Sequence, residues 1–185
     1  MSSPISKPRG NEHTETEVSL LTGGRDRPYV FGLVNALLLK GTMIDLVGSD
    51  DLIFDELSRF SGLRFLNLKG SSRSDVAFRA KVWRILAYYF RLIGYVSRAE
   101  PKIFHILWNN KFEILDRTLF MLYYRLLGKK IVLTVHNVNA GKRDLSDTFV
   151  NRLTLRIQYR LAHHLFVHTD KMKQELIDDP LFDLS

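Results

Sequence analysis

The fold is decided by Lys129-Lys130-Ile131-Val132-Leu133-Thr134-Val135-His136-Asn137. This β-branched, apolar run follows a helical segment and stops on a histidine and an amide. A continuous apolar run of this length reads as a strand buried on both faces, as parallel strands are. In open α/β sheets, ligands collect at the carboxyl ends of such strands. His136 therefore has two readings from position alone: a ligand-facing group, or a strand-end cap bonding a neighbouring carbonyl.

Working outward, strand-like and helix-like segments alternate along the chain. Val18 to Thr22 reads as a first strand, followed by Gly23-Gly24. Pro28 suits the first turn of a helix, which then runs from Tyr29 to Lys40 and stops at Gly41. Further strands are expected over 42–47, 63–68, 102–107, 129–135 and 165–167. Between them, helices are expected over 50–60, 75–98 (with a bend near Gly94), 113–127 and 147–163. A last helix begins at Lys171. Such alternation predicts βαβ units: an α/β, Rossmann-like three-layer αβα sandwich with a mostly parallel sheet of six or seven strands. Residues 1–16 are polar and read as a mobile tail, leaving 17–185 as one domain.

Composition bounds the function. The chain has 185 residues, of which 45% are hydrophobic, enough for one sizeable core. It has no cysteine, so disulfides and thiolate metal sites are excluded. The net charge of +7 favours anionic partners. No apolar run reaches the roughly 20 residues of a membrane helix, and no signal sequence opens the chain, so a cytoplasmic location is expected.

With parallel strands, the loops after each strand share one sheet edge. There they place Gly23, Gly24 and Arg25, the amides Asn109 and Asn110, His136 with Asn137, and Thr169 with Asp170. Asn side chains suit sugar hydroxyls and also suit turns. The two glycines allow close approach of a ligand or of another backbone. Lys142 and Arg143 are expected in a mobile loop beside His136, facing phosphate or water.

Taken in order, several segments resemble the N-terminal half of a GT-B glycosyltransferase of the large retaining family 4 type. They are Val18 to Gly24, the helix from Pro28, the Thr134-Val135-His136-Asn137 turn, and Arg160-Leu161-Ala162-His163-His164-Leu165-Phe166-Val167-His168-Thr169-Asp170. The resemblance covers about Glu17 to Ile177. It implies a Gly-Gly turn near the donor diphosphate, His136 close to the transferred sugar, and Thr169-Asp170 near the interdomain crossing. The implied function is the acceptor-side half of an enzyme moving a hexosyl-type sugar from a nucleotide-sugar to a lipid-linked or glycan acceptor, as in polysaccharide biosynthesis. The nucleotide-sugar is then a co-substrate, and no cofactor or metal is expected.

Two departures qualify the resemblance. The family's Gly-His-Glu is here Gly41-Thr42-Met43. The donor-binding domain, with its glutamates eight positions apart, has no counterpart; Glu175 with Asp183 is the nearest match. The expectation is a chain inactive without a donor domain: either the sequence is a fragment, or a separate partner chain supplies that half.

Other classes fit less well. A dinucleotide-binding domain requires G-x-G-x-x-G at the first turn, and after Gly24 the next glycine is Gly32. A phosphate-binding Walker loop is absent. His164 and His168 flank a strand that separates them by roughly 13 Å, too far for one metal ion. No RNA-recognition signature occurs, and nucleic acid is not expected as a partner. A non-catalytic module contacting anionic ligands or a membrane is the alternative reading. In the helix over 75–98, Lys81, Arg84, Arg91 and Arg98 share one face with Tyr88 and Tyr95. That face suits an anionic membrane, giving a peripheral position at the inner membrane face, or it is simply solvated. Val82, Ile85, Leu86, Tyr89, Leu92, Ile93 and Val96 are expected to pack on the sheet.

Overall fold

The computed structural model describes residues 17–23, 26–52, 60–70, 78–110, 112–180 and 182, with the side chains of Phe78 and Arg143 excepted. The strands are β1 (Glu17–Thr22), β2 (Met43–Gly48), β3 (Leu63–Asn67), β4 (Ile103–Trp108), β5 (Lys130–Val135) and β6 (His164–Val167). They form one all-parallel sheet in the order β3-β2-β1-β4-β5-β6. The helices are α1 (Arg27–Leu38), α2 (Phe78–Val96), α3 (Glu113–Leu115), α4 (Met121–Leu126), α5 (Ala140–Arg143), α6 (Phe149–Leu161) and α7 (Asp170–Asp178). This is the Rossmann-like α/β sandwich expected from the alternation of patterns.

Alternation within strands builds two cores. On one face, Val18 and Leu20 of β1 and Ile44 and Leu46 of β2 pack against Val30 and Val34 of α1. On the other, Leu21, Val47, Phe104, Ile131 and Leu133 pack against α2, α4 and α6. Side-chain caps start the helices: Asp26 accepts from the Tyr29 amide, Thr148 from Asn151 and Thr169 from Met172. Gly41 (φ 77°) and Gly128 (φ 71°) adopt the left-handed conformation that stops a helix cheaply only in glycine.

Three expectations are corrected. The helix expected over 113–127 is interrupted by a π-helical turn, Asp116–Phe120, between α3 and α4. That turn brings Asp116 under the loop after β4, where it accepts from the Asn110 amide at 2.6 Å. Lys142 and Arg143 lie not in an open loop but in α5, whose first turn Asn139 caps by accepting from the Lys142 amide. Of the helix expected over 50–60, Asp50–Leu52 form a 3-10 turn, and residues 53–59 lie outside the described residues. The start of the 75–98 helix also lies outside them up to residue 77.

The largest correction concerns how α2 faces the sheet. Tyr88, Tyr89, Leu92 and Val96 are buried, whereas Val82, Leu86 and Ile93 are exposed. The tyrosines turn inward because their hydroxyls find partners there. Tyr88 donates to Asn110 Oδ1 at 2.8 Å, and Tyr95 donates to Asp45 Oδ2 at 2.7 Å. Asp45 is held in turn by Arg64 Nε at 2.7 Å. A satisfied phenol buries more apolar area than a leucine, so the ring is the better core residue. The basic row stays on the flank. Arg91 and Arg98 are exposed, Arg91 donating to the Leu68 carbonyl, while Lys81 and Arg84 are half-buried.

Candidate functional site

The chain direction of the strand order reverses between β1 and β4, so the crevice at their carboxyl ends is the topological switch point. Gly23 closes the end of β1. A Cβ there would lie 2.1 Å from the Trp108 carbonyl oxygen and 2.4 Å from that of Asn109. The close approach that requires glycine is therefore made by the β4 backbone. Gly24 and Arg25 lie outside the described residues. Lys69, beyond the end of β3, donates to the Gly23 carbonyl at 2.8 Å and lies over the Tyr88 ring. It brings a cation to the crevice.

Beside the crevice sits an aromatic and imidazole cluster. The His136 ring stacks on Trp108 with centroids 4.2 Å apart and planes within 7°. Tyr29, in the first turn of α1, meets Trp108, His136 and His168 edge-on at 5.4–5.6 Å. His136 Nε2 lies 3.1 Å from the Leu107 carbonyl oxygen, and His136 Nδ1 lies 3.0 Å from His168 Nε2. A carbonyl only accepts, so the proton belongs on His136 Nε2. His136 Nδ1 is then an acceptor, and His168 Nε2–H is its donor. Both nitrogens of His136 are thus spent inside the protein. His168 Nδ1 is the one ring nitrogen of the pair outside this chain of bonds. Burial, and then the neighbouring His168, lower the His136 pKa, which keeps it neutral and the chain intact at neutral pH.

Other expected site residues are held by the fold. Asn109 forms a reciprocal amide pair with buried Gln158, at 2.7 and 3.3 Å. Asn110 is bonded to Asp116 and Tyr88. Burial raises the Asp116 pKa, opposed by bonds from Asn110 and Tyr89. Thr169 is the cap of α7, and Asp170, exposed, is that helix's first residue. Asn137 is exposed and its carbonyl faces the Tyr159 hydroxyl. Arg143 ends α5; its side chain lies outside the description.

A small cavity of about 120 Å³ adjoins His136, lined by Trp108, Asn109, Asn137, Gln158, Tyr159 and Arg117. Arg117 bonds Asn151 at 2.8 Å and Glu113 at 2.6 Å. Its buried Nε has no acceptor among the described residues. Arg117 was missed by sequence reasoning because it is a single cation inside a helical pattern, far in sequence from His136, whereas the loop that starts at Lys69 is expected on this edge. His168 was weighed only as a metal ligand paired with His164. Its true neighbour lies across the β5–β6 pairing, where Val135 registers with Val167.

The cavity volume is below the roughly 300–1,000 Å³ typical of small-molecule sites. It fits one polar group rather than a nucleotide. Among the described residues, no group of three or more metal-binding side chains converges, and no helix is long and apolar enough to cross a membrane. No protein-family model matches the chain, and no curated protein matches its sequence.

Proposed function

We propose that this chain is the acceptor-side half of a glycosyltransferase that moves a sugar from a nucleotide-sugar to a lipid-linked or glycan acceptor. The reading rests on the histidine pair at the carboxyl edge of the sheet, beside the switch point. It is also supported by the resemblance that runs through β1, the β5 turn and β6. A partial pocket suits half of a cleft whose donor side belongs to another domain. In this reading, Lys69 and Arg117 offer positive charge to a departing diphosphate. His136 orients His168, and His168 Nδ1 accepts a proton or hydrogen bond from a sugar hydroxyl. His136 is thereby a positioning residue, while the sugar contact passes to its neighbour.

The test is sugar transfer from a panel of nucleotide-sugars. The chain is assayed alone and with the product of the adjacent open reading frame of its source DNA. Transfer that requires both proteins and falls steeply in His168→Ala supports the proposal. Transfer by neither preparation removes it. Transfer that is insensitive to both His136→Ala and His168→Ala would exclude the histidine pair.

A further inference from the structure

Helix α2 and the α3–α4 segment enclose a second, larger concavity on the face of the sheet opposite α1. Its volume is about 350 Å³, and its lining is apolar, with Leu86, Phe90, Ile93, Phe112 and Leu119 at its rim. Two aromatic rings stand out from α2 beside it: Trp83 is 71% exposed and Phe90 70%. Exposed apolar side chains scattered singly carry no meaning, but a contiguous patch marks a contact surface.

We propose that this face docks on an anionic lipid bilayer, with Trp83 and Phe90 entering the boundary between headgroups and acyl chains. Charge selects the occupant. Helix α2 contains Arg79, Lys81, Arg84 and Arg91 and no acidic residue. A second copy of the chain would bring one basic helix against another. A bilayer bearing anionic headgroups instead attracts each cation while the aromatics bury beside it. Shape agrees with charge. Trp83 and Phe90 project from the helix, as insertion requires, whereas a peptide groove would keep its apolar residues on the floor. The membrane contact expected of the basic row with its tyrosines thus moves around the helix. Tyr88 and Tyr95 are in or beside the core, and the exposed Arg79 and Arg91 lie on either side of the Trp83–Phe90 row.

The experiment is co-sedimentation of the whole chain with vesicles of phosphatidylcholine, with and without phosphatidylglycerol. Tryptophan emission is recorded in parallel. Binding to the anionic vesicles is expected, with a blue shift that Trp83→Phe abolishes even though Trp108 remains. Trp83→Ala and Phe90→Ala are each expected to weaken binding roughly tenfold or more, since each removes a large buried side chain. Both positions are exposed, so the urea midpoint should stay unchanged and report an intact fold. Arg79→Glu with Arg91→Glu should weaken binding to anionic vesicles. Three results would overturn the proposal: no binding, binding indifferent to Trp83 and Phe90, or a concentration-dependent dimer abolished by the same substitutions. Vesicle binding is read without sugar transfer, so this proposal and the glycosyltransferase reading fail separately.

Discussion

Acid should destabilise this protein partly through one buried histidine. His105, on β4, is only 7% exposed; its Nε2 lies 2.8 Å from Thr134 Oγ1, and its ring packs near Phe166. Burial, and then the nearby His164, lower its pKa from 6.5 to about 4. The folded chain therefore binds fewer protons at this site than the unfolded chain. The stability of the neutral ring is complete above pH 6.5 and is lost as pH falls towards 4. The drop from 6.5 to about 4 corresponds to about 3 kcal/mol in full, of which about 2.5 kcal/mol is lost by pH 4.5. His105→Gln keeps a polar partner for Thr134 and removes the titration. The assay is urea unfolding of both proteins at pH 7 and pH 4.5. The variant is expected to be less stable at pH 7, and its loss between the two pH values should be smaller by about 2–3 kcal/mol. Carboxylates and the other histidines titrate alike in both proteins and cancel in that difference. Equal losses would refute the reasoning and mean that His105 takes up its proton without unfolding the sheet.

Other substitutions probe other parts of the fold. Gly23→Ala drives a methyl into the β4 backbone and should cost about 1–3 kcal/mol by urea unfolding; a midpoint equal to wild type would show that β1 and β4 separate freely there. Lys129 is buried and donates to the Pro101 and Ala99 carbonyls, so Lys129→Met should destabilise by about 1–3 kcal/mol, visible as a lower melting temperature. Replacing the Thr148 cap with Ala should cost about 1 kcal/mol of stability, measured in the same way. In His168→Ala, the neighbour that helps to depress the His136 pKa is gone; proton NMR should find the His136 titration moved upward, and an unchanged midpoint would refute the coupling.

The sheet was legible in the sequence because its strands are short β-branched runs bounded by glycine, proline and polar turns. Ile131 to Val135 and Val18 to Thr22 needed no tertiary information. The face of α2 was not legible in the same way. Helical periodicity puts Tyr89, Leu92 and Val96 on the inward face, where they are, but does not say whether Tyr88 or Leu86 joins them. That choice depends on Asp45 and Asn110, which contact α2 only once the sheet exists. The π-helical turn escaped for a related reason. Nothing local distinguishes Asp116–Phe120 from ordinary helix, and the turn serves a carboxylate whose partners, Asn110 and Tyr89, lie outside it. For the site, position at a strand end singled out His136, which the structure places in the aromatic and imidazole cluster. Its bonding was set by Leu107 and His168, residues brought near by strand pairing rather than by spacing.

The strand order has a consequence for assembly in time. β1 is flanked by β2 and β4, so one side of the first strand is completed by residues that emerge far later in the chain. Leu107, at the end of β4, belongs to the same core as Val18, Leu20, Val30 and Val34. Until β4 arrives, the early half of the molecule has an open edge and an unfilled core. Distant pairing of this kind slows folding, because loop closure must precede the contacts that reward it. During synthesis, the segment from β1 to α2 therefore needs shelter from other unpaired strands, and the moment of commitment comes when β4 slides in beside β1.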